Sequence, residues 1–73
     1  MEANYVGRFA RSIESGWLGK VMAVEEREGM TLLRMSGVNE LNRMIVGGDI
    51  ETQIDLDDTQ WFVPEDVRFV KLV

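Results

Sequence analysis

Carboxylates are the side chains with the most chemical capacity in this sequence. Asp55, Asp57 and Asp58 crowd together, with Glu51 close by in the chain. Such a group could hold a hard cation through several oxygens, or present a negative face to a basic partner. It lacks the Asp-x-Asp-x-Asp-Gly loop and distant Glu of a calcium-binding hand. Charge at this density also serves to guard the exposed edge of a sheet. A second group lies near the N-terminus, where Arg8, Arg11 and Lys20 are interleaved with Tyr5, Phe9 and Trp17. Aromatic faces among cations can stack bases and neutralise phosphates. The plainer reading is a set of core aromatics with the stems of basic side chains lying along them.

Trp61 and Phe62 are adjacent, so on a strand they point to opposite faces and one of them is left for the surface or a subunit contact. The methionines Met22, Met30, Met35 and Met44 could line an adaptable binding surface, but Met is also the common gap-filler of a small core.

The sequence has no Cys and no His. That excludes disulfides, thiolate and imidazole metal sites, Cys nucleophiles and every triad that needs an imidazole. Acid and base pairs would have to come from Glu25, Glu26 and Glu28 or from the Asp55 to Asp58 group, all in expected turns rather than in a pocket. No catalytic residue, cofactor or metal is expected, and the reading goes against an enzyme made of a single copy.

The elements that must position these groups are short strands. Tyr5 to Arg11 reads as a first strand, although Val6, Phe9, Ala10 and Ile13 fit a helix over Val6 to Ser15 equally well. Ser15-Gly16 marks a turn. Trp17 to Glu26 alternates as a second strand, in which Gly19 implies a bulge, a bend or a close approach. Arg27-Glu28-Gly29 closes a hairpin onto a third strand, Met30 to Met35, which Ser36-Gly37 ends. Leu41, Met44 and Ile45 then change to a helical spacing, with Asn39 as a cap and Gly47-Gly48 as a stop, so a short helix or ordered loop is expected near residues 39–46. Asp49 to Leu56 alternates again, with an acidic outer face, and Asp57-Asp58 turns the chain. Trp61 to Val63 is strand, Pro64 opens a one-turn helix over 64–66, and Val67 to Val73 is the last strand.

A chain of 73 residues is one domain, residues 1–73, with a thin margin of stability. Its net charge of −5 opposes nucleic-acid phosphates and anionic membranes unless charge is segregated. Segregation is visible: seven of the thirteen carboxylates lie between Asp49 and Asp66 with no base among them. The apolar runs are too short to span a bilayer and the N-terminus has no leader pattern, so no membrane association and a cytoplasmic location are expected.

Five or six short antiparallel strands without a long helix predict a mainly β fold, a small barrel that removes its edges by closure. Gly16-Trp17-Leu18-Gly19-Lys20-Val21-Met22-Ala23-Val24 resembles the Gly-x-x-Gly-x-Val-x-x-Val strand of SH3-like small barrels. Trp61-Phe62-Val63-Pro64-Glu65-Asp66-Val67 is similar to the aromatic-x-Pro segment before their last strand. The resemblance covers roughly residues 6 to 73 and implies an SH3-like barrel. The Ala-Leu-Tyr-Asp-Tyr-type strand and the Trp-Trp pair of signalling SH3 domains are absent, so it does not imply a polyproline reader.

The first functional expectation is a non-enzymatic protein-interaction module that self-associates as a homo-oligomer. Its acidic face, with Glu51, Asp55, Asp57, Asp58, Trp61 and Phe62, would meet a protein partner of basic character. The alternative is a nucleic-acid-associated small barrel using Arg8, Arg11, Lys20 and Trp17. A second alternative is an oligomeric enzyme with its site at a subunit pore.

Overall fold

The structure, a computed structural model, describes residues 4–40 and 53–71. It is built from five antiparallel strands: β1 (Phe9–Ser12), β2 (Leu18–Arg27), β3 (Met30–Val38), β4 (Ile54–Phe62) and β5 (Val67–Val70). A single 3-10 turn, Pro64–Asp66, separates β4 from β5. The strands form one sheet in the order β4-β3-β2-β1-β5. The first four therefore pair with their neighbours in sequence, and β5 returns to the far side of β1. The mainly β fold and the one-turn helix at 64–66 are as the sequence predicts. The sheet, however, does not close into a barrel: among the described residues β4 and β5 are its two edges, with no pairing between them.

The β2-β3 hairpin is set by local chemistry. Arg27 pairs with Met30, leaving Glu28 (φ 50°) and Gly29 (φ 78°) as a two-residue connection. Two successive positive φ values give the type I′ turn, whose twist matches that of the flanking strands. At the other corner, Pro64 has the fixed φ suited to the first position of a helical turn, and Val67 N–H donates back to the Pro64 carbonyl as the chain re-enters the sheet.

One face carries the core. Ala10, Val21, Leu33 and Met35 are fully buried and Val67 nearly so, with Tyr5, Trp17, Val24, Phe62 and Phe69 packed around them. Val21 and Val24 reach this face together, against simple alternation, because the β2-β3 register shifts between Val21 and Ala23. Met22 is the extra residue, and an extra residue reverses the sidedness of everything after it. Of the bulge, bend or close approach expected at Gly19, the close approach is what stands there, with the Ser36 carbonyl 3.0 Å from where a Cβ would be, and the bulge lies at Met22.

Three other expectations are corrected. Residues 6–15 are not a helix: a turn at Val6-Gly7 leads into β1, and a second turn over Ile13 to Ser15 follows it. Ser36-Gly37 does not end the third strand but lies buried inside β3. Asp57-Asp58 does not turn the chain either, because β4 runs through it. The segment expected near 39–46 falls, beyond Glu40, outside the described residues, as do Met44, the Gly47-Gly48 stop and the start of the strand expected from Asp49.

Candidate functional site

The β1-β2 loop is a run of short hydrogen bonds that aims Trp17. Ser12 N–H donates to the Trp17 carbonyl at 2.8 Å and Gly16 N–H to the Ser12 carbonyl at 2.8 Å, with Gly16 at φ 78°. The Ser12 and Ser15 hydroxyls accept from Ser15 N–H and Trp17 N–H, each at 3.2 Å. Arg11 closes the loop from outside: its guanidinium donates to the Gly16 carbonyl at 2.9 Å and, through two nitrogens, to Glu40 at 3.0 and 3.1 Å. Glu40 draws the Arg11 pKa above its ordinary value, chiefly through the hydrogen bond, with desolvation opposing the shift and the Glu40 charge adding to it.

So aimed, the indole lies across the ends of β2 and β3. Gly19 and Gly37 face one another in the ladder. A Cβ at Gly19 would sit 2.7 Å from the Trp17 ring and 3.0 Å from the Ser36 carbonyl, and one at Gly37 would collide with the Asp58 carboxylate and approach the ring at 3.2 Å. The two glycines are the floor on which Trp17 rests. Its ring tilts against Phe62, with centroids 5.6 Å apart, and its Nε1–H donates to Asp58 Oδ2 at 3.1 Å.

That hydrogen bond reaches the acidic cluster at an irregularity in β4. Ser36 pairs with Thr59 while the next residue, Gly37, pairs with Asp55, so Leu56, Asp57 and Asp58 have no opposite number in the ladder. The three are pushed out as a large bulge. Asp57 N–H donates to Asp55 Oδ1 at 3.0 Å and the Thr59 hydroxyl to the Leu56 carbonyl at 3.2 Å, local contacts that hold the displaced backbone. Asp55, Asp57 and Asp58 are all exposed, and Leu56 between them is 67% exposed. Glu51 lies outside the described residues. Among the described residues, no three metal-ligating side chains converge.

Trp61 and Phe62 divide as adjacent strand residues must. Phe62 packs on the core, whereas Trp61 is 46% exposed on the opposite face, opposite Arg34 and with the Arg27 guanidinium 5.9 Å from its ring centroid.

The structure does not keep Arg8, Arg11, Lys20 and Trp17 together as one patch. Trp17 covers the core beyond one end of β1, whereas Arg8 precedes the other end and lies 4.1 Å over the Phe69 ring, which also stacks on Tyr5 at 5.5 Å. Lys20 lies 5.9 Å from the Phe9 ring centroid. What joins this side is β5, whose register sets Arg68 opposite Arg11. An open groove of about 230 Å³ runs between Arg11 and Arg68, and another of about 390 Å³ lies between Arg8, Phe9, Phe69 and Lys71. Sequence reasoning missed Arg68, Phe69 and Lys71 as members of this side, since only the β1-β5 pairing brings them to it. Four of the eight basic residues, Arg8, Arg11, Arg68 and Lys71, are thus on β1 and β5 or next to them in the chain, at the sheet edge away from the acidic bulge.

Among the described residues no helix is long and apolar enough to cross a membrane. No known protein family, no curated protein and no solved structure matches this chain.

Proposed function

We propose that the chain is an SH3-like, non-enzymatic protein-interaction module whose acidic β4 bulge binds a segment of basic character. The SH3-like assignment is supported by the strand order, a meander β1 to β4 with β5 returned to β1, and by the one-turn helix at Pro64 before the last strand. The functional reading is carried by one observation: Leu56 projects into solvent between carboxylates from a bulge that Trp17 braces through Asp58. An apolar residue rimmed by like charges is a recognition element with a central contact and a steering field, suited to a Lys- or Arg-rich segment that also carries an aliphatic residue.

The test is a two-dimensional NMR titration with a synthetic peptide of that kind. Amide shifts at Asp55 to Asp58 and at the Trp17 indole N–H are expected. They should weaken as salt is added and disappear in the double variant Asp55→Asn/Asp57→Asn. Saturating peptide that leaves these signals in place sinks the proposal.

The nucleic-acid reading draws support from a different observation, the groove bounded by Arg8, Phe9, Phe69 and Lys71. Anisotropy of a labelled single-stranded oligonucleotide separates the two: binding through this groove has a steep inverse dependence on salt and is lost in Arg8→Ala/Lys71→Ala.

A further inference from the structure

One cation on the sheet is held in place and left unspent. The chain enters β1 through a tight turn in which Arg8 N–H donates to the Tyr5 carbonyl at 3.1 Å, with Gly7 at φ 92° in the third position, where a turn of the second type requires a positive φ. Two further backbone bonds pin this turn to β2: Gly7 N–H donates to the Val21 carbonyl at 2.9 Å and Val21 N–H to the Arg8 carbonyl at 2.8 Å. The β1-β5 register brings Phe69 beside the turn, where its ring stacks on Tyr5 at 5.5 Å and lies under the Arg8 guanidinium, with Cζ 4.1 Å from the centroid. Both ends of the turn thus bear on one ring, and Arg8 is positioned before any ligand arrives.

A guanidinium resting on a ring keeps its N–H donors, since the aromatic contact uses its face. Among the described residues those of Arg8 meet no carboxylate and no carbonyl, whereas Arg11 is spent on Glu40 and the Gly16 carbonyl, and Arg27 on Glu25. The groove of about 390 Å³ beside Arg8 is lined by Phe9, Phe69, Val70 and the exposed Lys71, with no carboxylate among them. The stretches that build β1, β5 and the half of β2 paired with β1 are equally free of acid: Asn4 to Ile13, Gly16 to Val24 and Val67 to Lys71 hold Arg8, Arg11, Lys20, Arg68 and Lys71 and no Asp or Glu. Glu65 lines a separate groove with Tyr5 and Pro64, one that Arg8, Phe9 and Lys71 do not share. Among the described residues the negative charge of the chain is kept away from this groove.

We infer that Arg8 is a preorganised phosphate receptor: its guanidinium takes two oxygens of one phosphodiester of a single-stranded nucleic acid, Lys71 supplies charge from across the groove, and Phe9 and Val70 give the attached base an apolar wall. The inference rests on the nucleic-acid reading of this groove and names the group that holds the strand. A rigid planar fork matches a pair of phosphate oxygens, whereas an ammonium of equal charge acts as a point. A strand also carries neighbouring phosphates into the field of Lys20 and Arg68, so it binds more tightly than a free nucleotide.

The test separates charge from geometry. Anisotropy of a labelled oligothymidylate is followed against salt for the full chain and for Arg8→Lys, Arg8→Ala and, as a control on β3 away from the groove, Arg34→Lys, with circular dichroism confirming each fold. Arg8→Lys keeps the charge, so its salt slope should equal that of the wild type while its affinity falls about tenfold. Arg8→Ala should lose affinity and also about 0.7 of the slope, the share of one phosphate on a single strand. Arg34→Lys should bind as the wild type does, and thymidine monophosphate should displace the strand only in large excess. If an Arg8 variant fails to fold, the Nε–H resonances of the wild type decide: a shift at Arg8 as the strand is added, larger than at Arg34, supports the receptor, and an unmoved Arg8 signal removes it. The inference is overturned by an Arg8→Lys chain that binds as tightly as the wild type, by an equal loss in Arg34→Lys, or by monophosphate that displaces the strand mole for mole. Tight binding in Arg8→Lys together with loss in Arg8→Ala/Lys71→Ala leaves the nucleic-acid reading standing and removes the receptor, whereas a wild type that binds no strand at low salt removes both.

Discussion

At the scale of single residues, the contact that ties the most together is Trp17 on its glycine floor. Its indole bonds a carboxylate 41 positions away in sequence, and the ring is admitted only because Gly19 and Gly37 carry no side chain. Adding one methyl at Gly37 forces the Asp58 carboxylate aside, and adding one at Gly19 meets the rigid ring. Gly37→Ala and Gly19→Ala are each expected to cost about 1–3 kcal/mol in urea denaturation, the range for overpacking a site that cannot relax freely. A cycle of Trp17→Phe, Asp58→Ala and the double variant is expected to give a coupling of about 1 kcal/mol, the usual worth of one partly exposed hydrogen bond to a charged group. Coupling near zero would mean that the bond contributes nothing and that packing alone holds the ring.

At the scale of elements, the β2-β3 hairpin carries a residue that does not suit its conformation. Glu28 sits at φ 50°, where a side chain without a short polar group has no local compensation, while Gly29 beside it is at ease. Asn-Gly is the preferred type I′ pair, so Glu28→Asn is expected to stabilise the chain by about 0.5 kcal/mol, read as a rise in the denaturation midpoint with unchanged slope. This hairpin and the Pro64 turn were also the most legible parts of the sequence, because their determinants are local: a glycine with positive φ, and a proline that fixes its own. The bulges were not legible. Alternation along β2 or β4 describes one strand, whereas Met22 and the Leu56 to Asp58 group are displaced relative to a partner, and register belongs to the pair. Gly37 read as a turn residue for the same reason, since nothing in its own neighbourhood shows that Trp17 will lie over it. The acidic residues were visible as a cluster, but not that they would be lifted out of a continuous strand, nor that Arg68 would come to stand beside Arg11.

At the scale of the whole molecule, stability is set by few side chains. A single domain of this length has a total of about 4–11 kcal/mol to lose. Among the described residues, the fully buried side chains of greatest volume are Leu33, Met35 and Val21. Leu33→Ala removes transfer energy and leaves a cavity, at about 2–5 kcal/mol. That is a large share of the whole, so thermal denaturation should show a much lowered midpoint and, at the upper end of the cost, a population already unfolded at room temperature. An exposed residue such as Ile13, at 61% exposure, is expected to tolerate the same truncation within about 0.5 kcal/mol.

Resting one ring on two strands while it bonds a third also couples motions. The loop that aims Trp17 and the displaced stretch of β4 cannot open separately without first breaking the indole's bond or sliding it off the glycines. Their backbone amides should therefore exchange with deuterium as one cooperative unit, at a common rate. Trp17→Ala should uncouple them, speeding exchange around Asp57 and Thr59 while the hairpin amides near Arg27 and Met30 keep their protection. A ligand held at the bulge would then slow exchange in the distant β1-β2 loop without touching it.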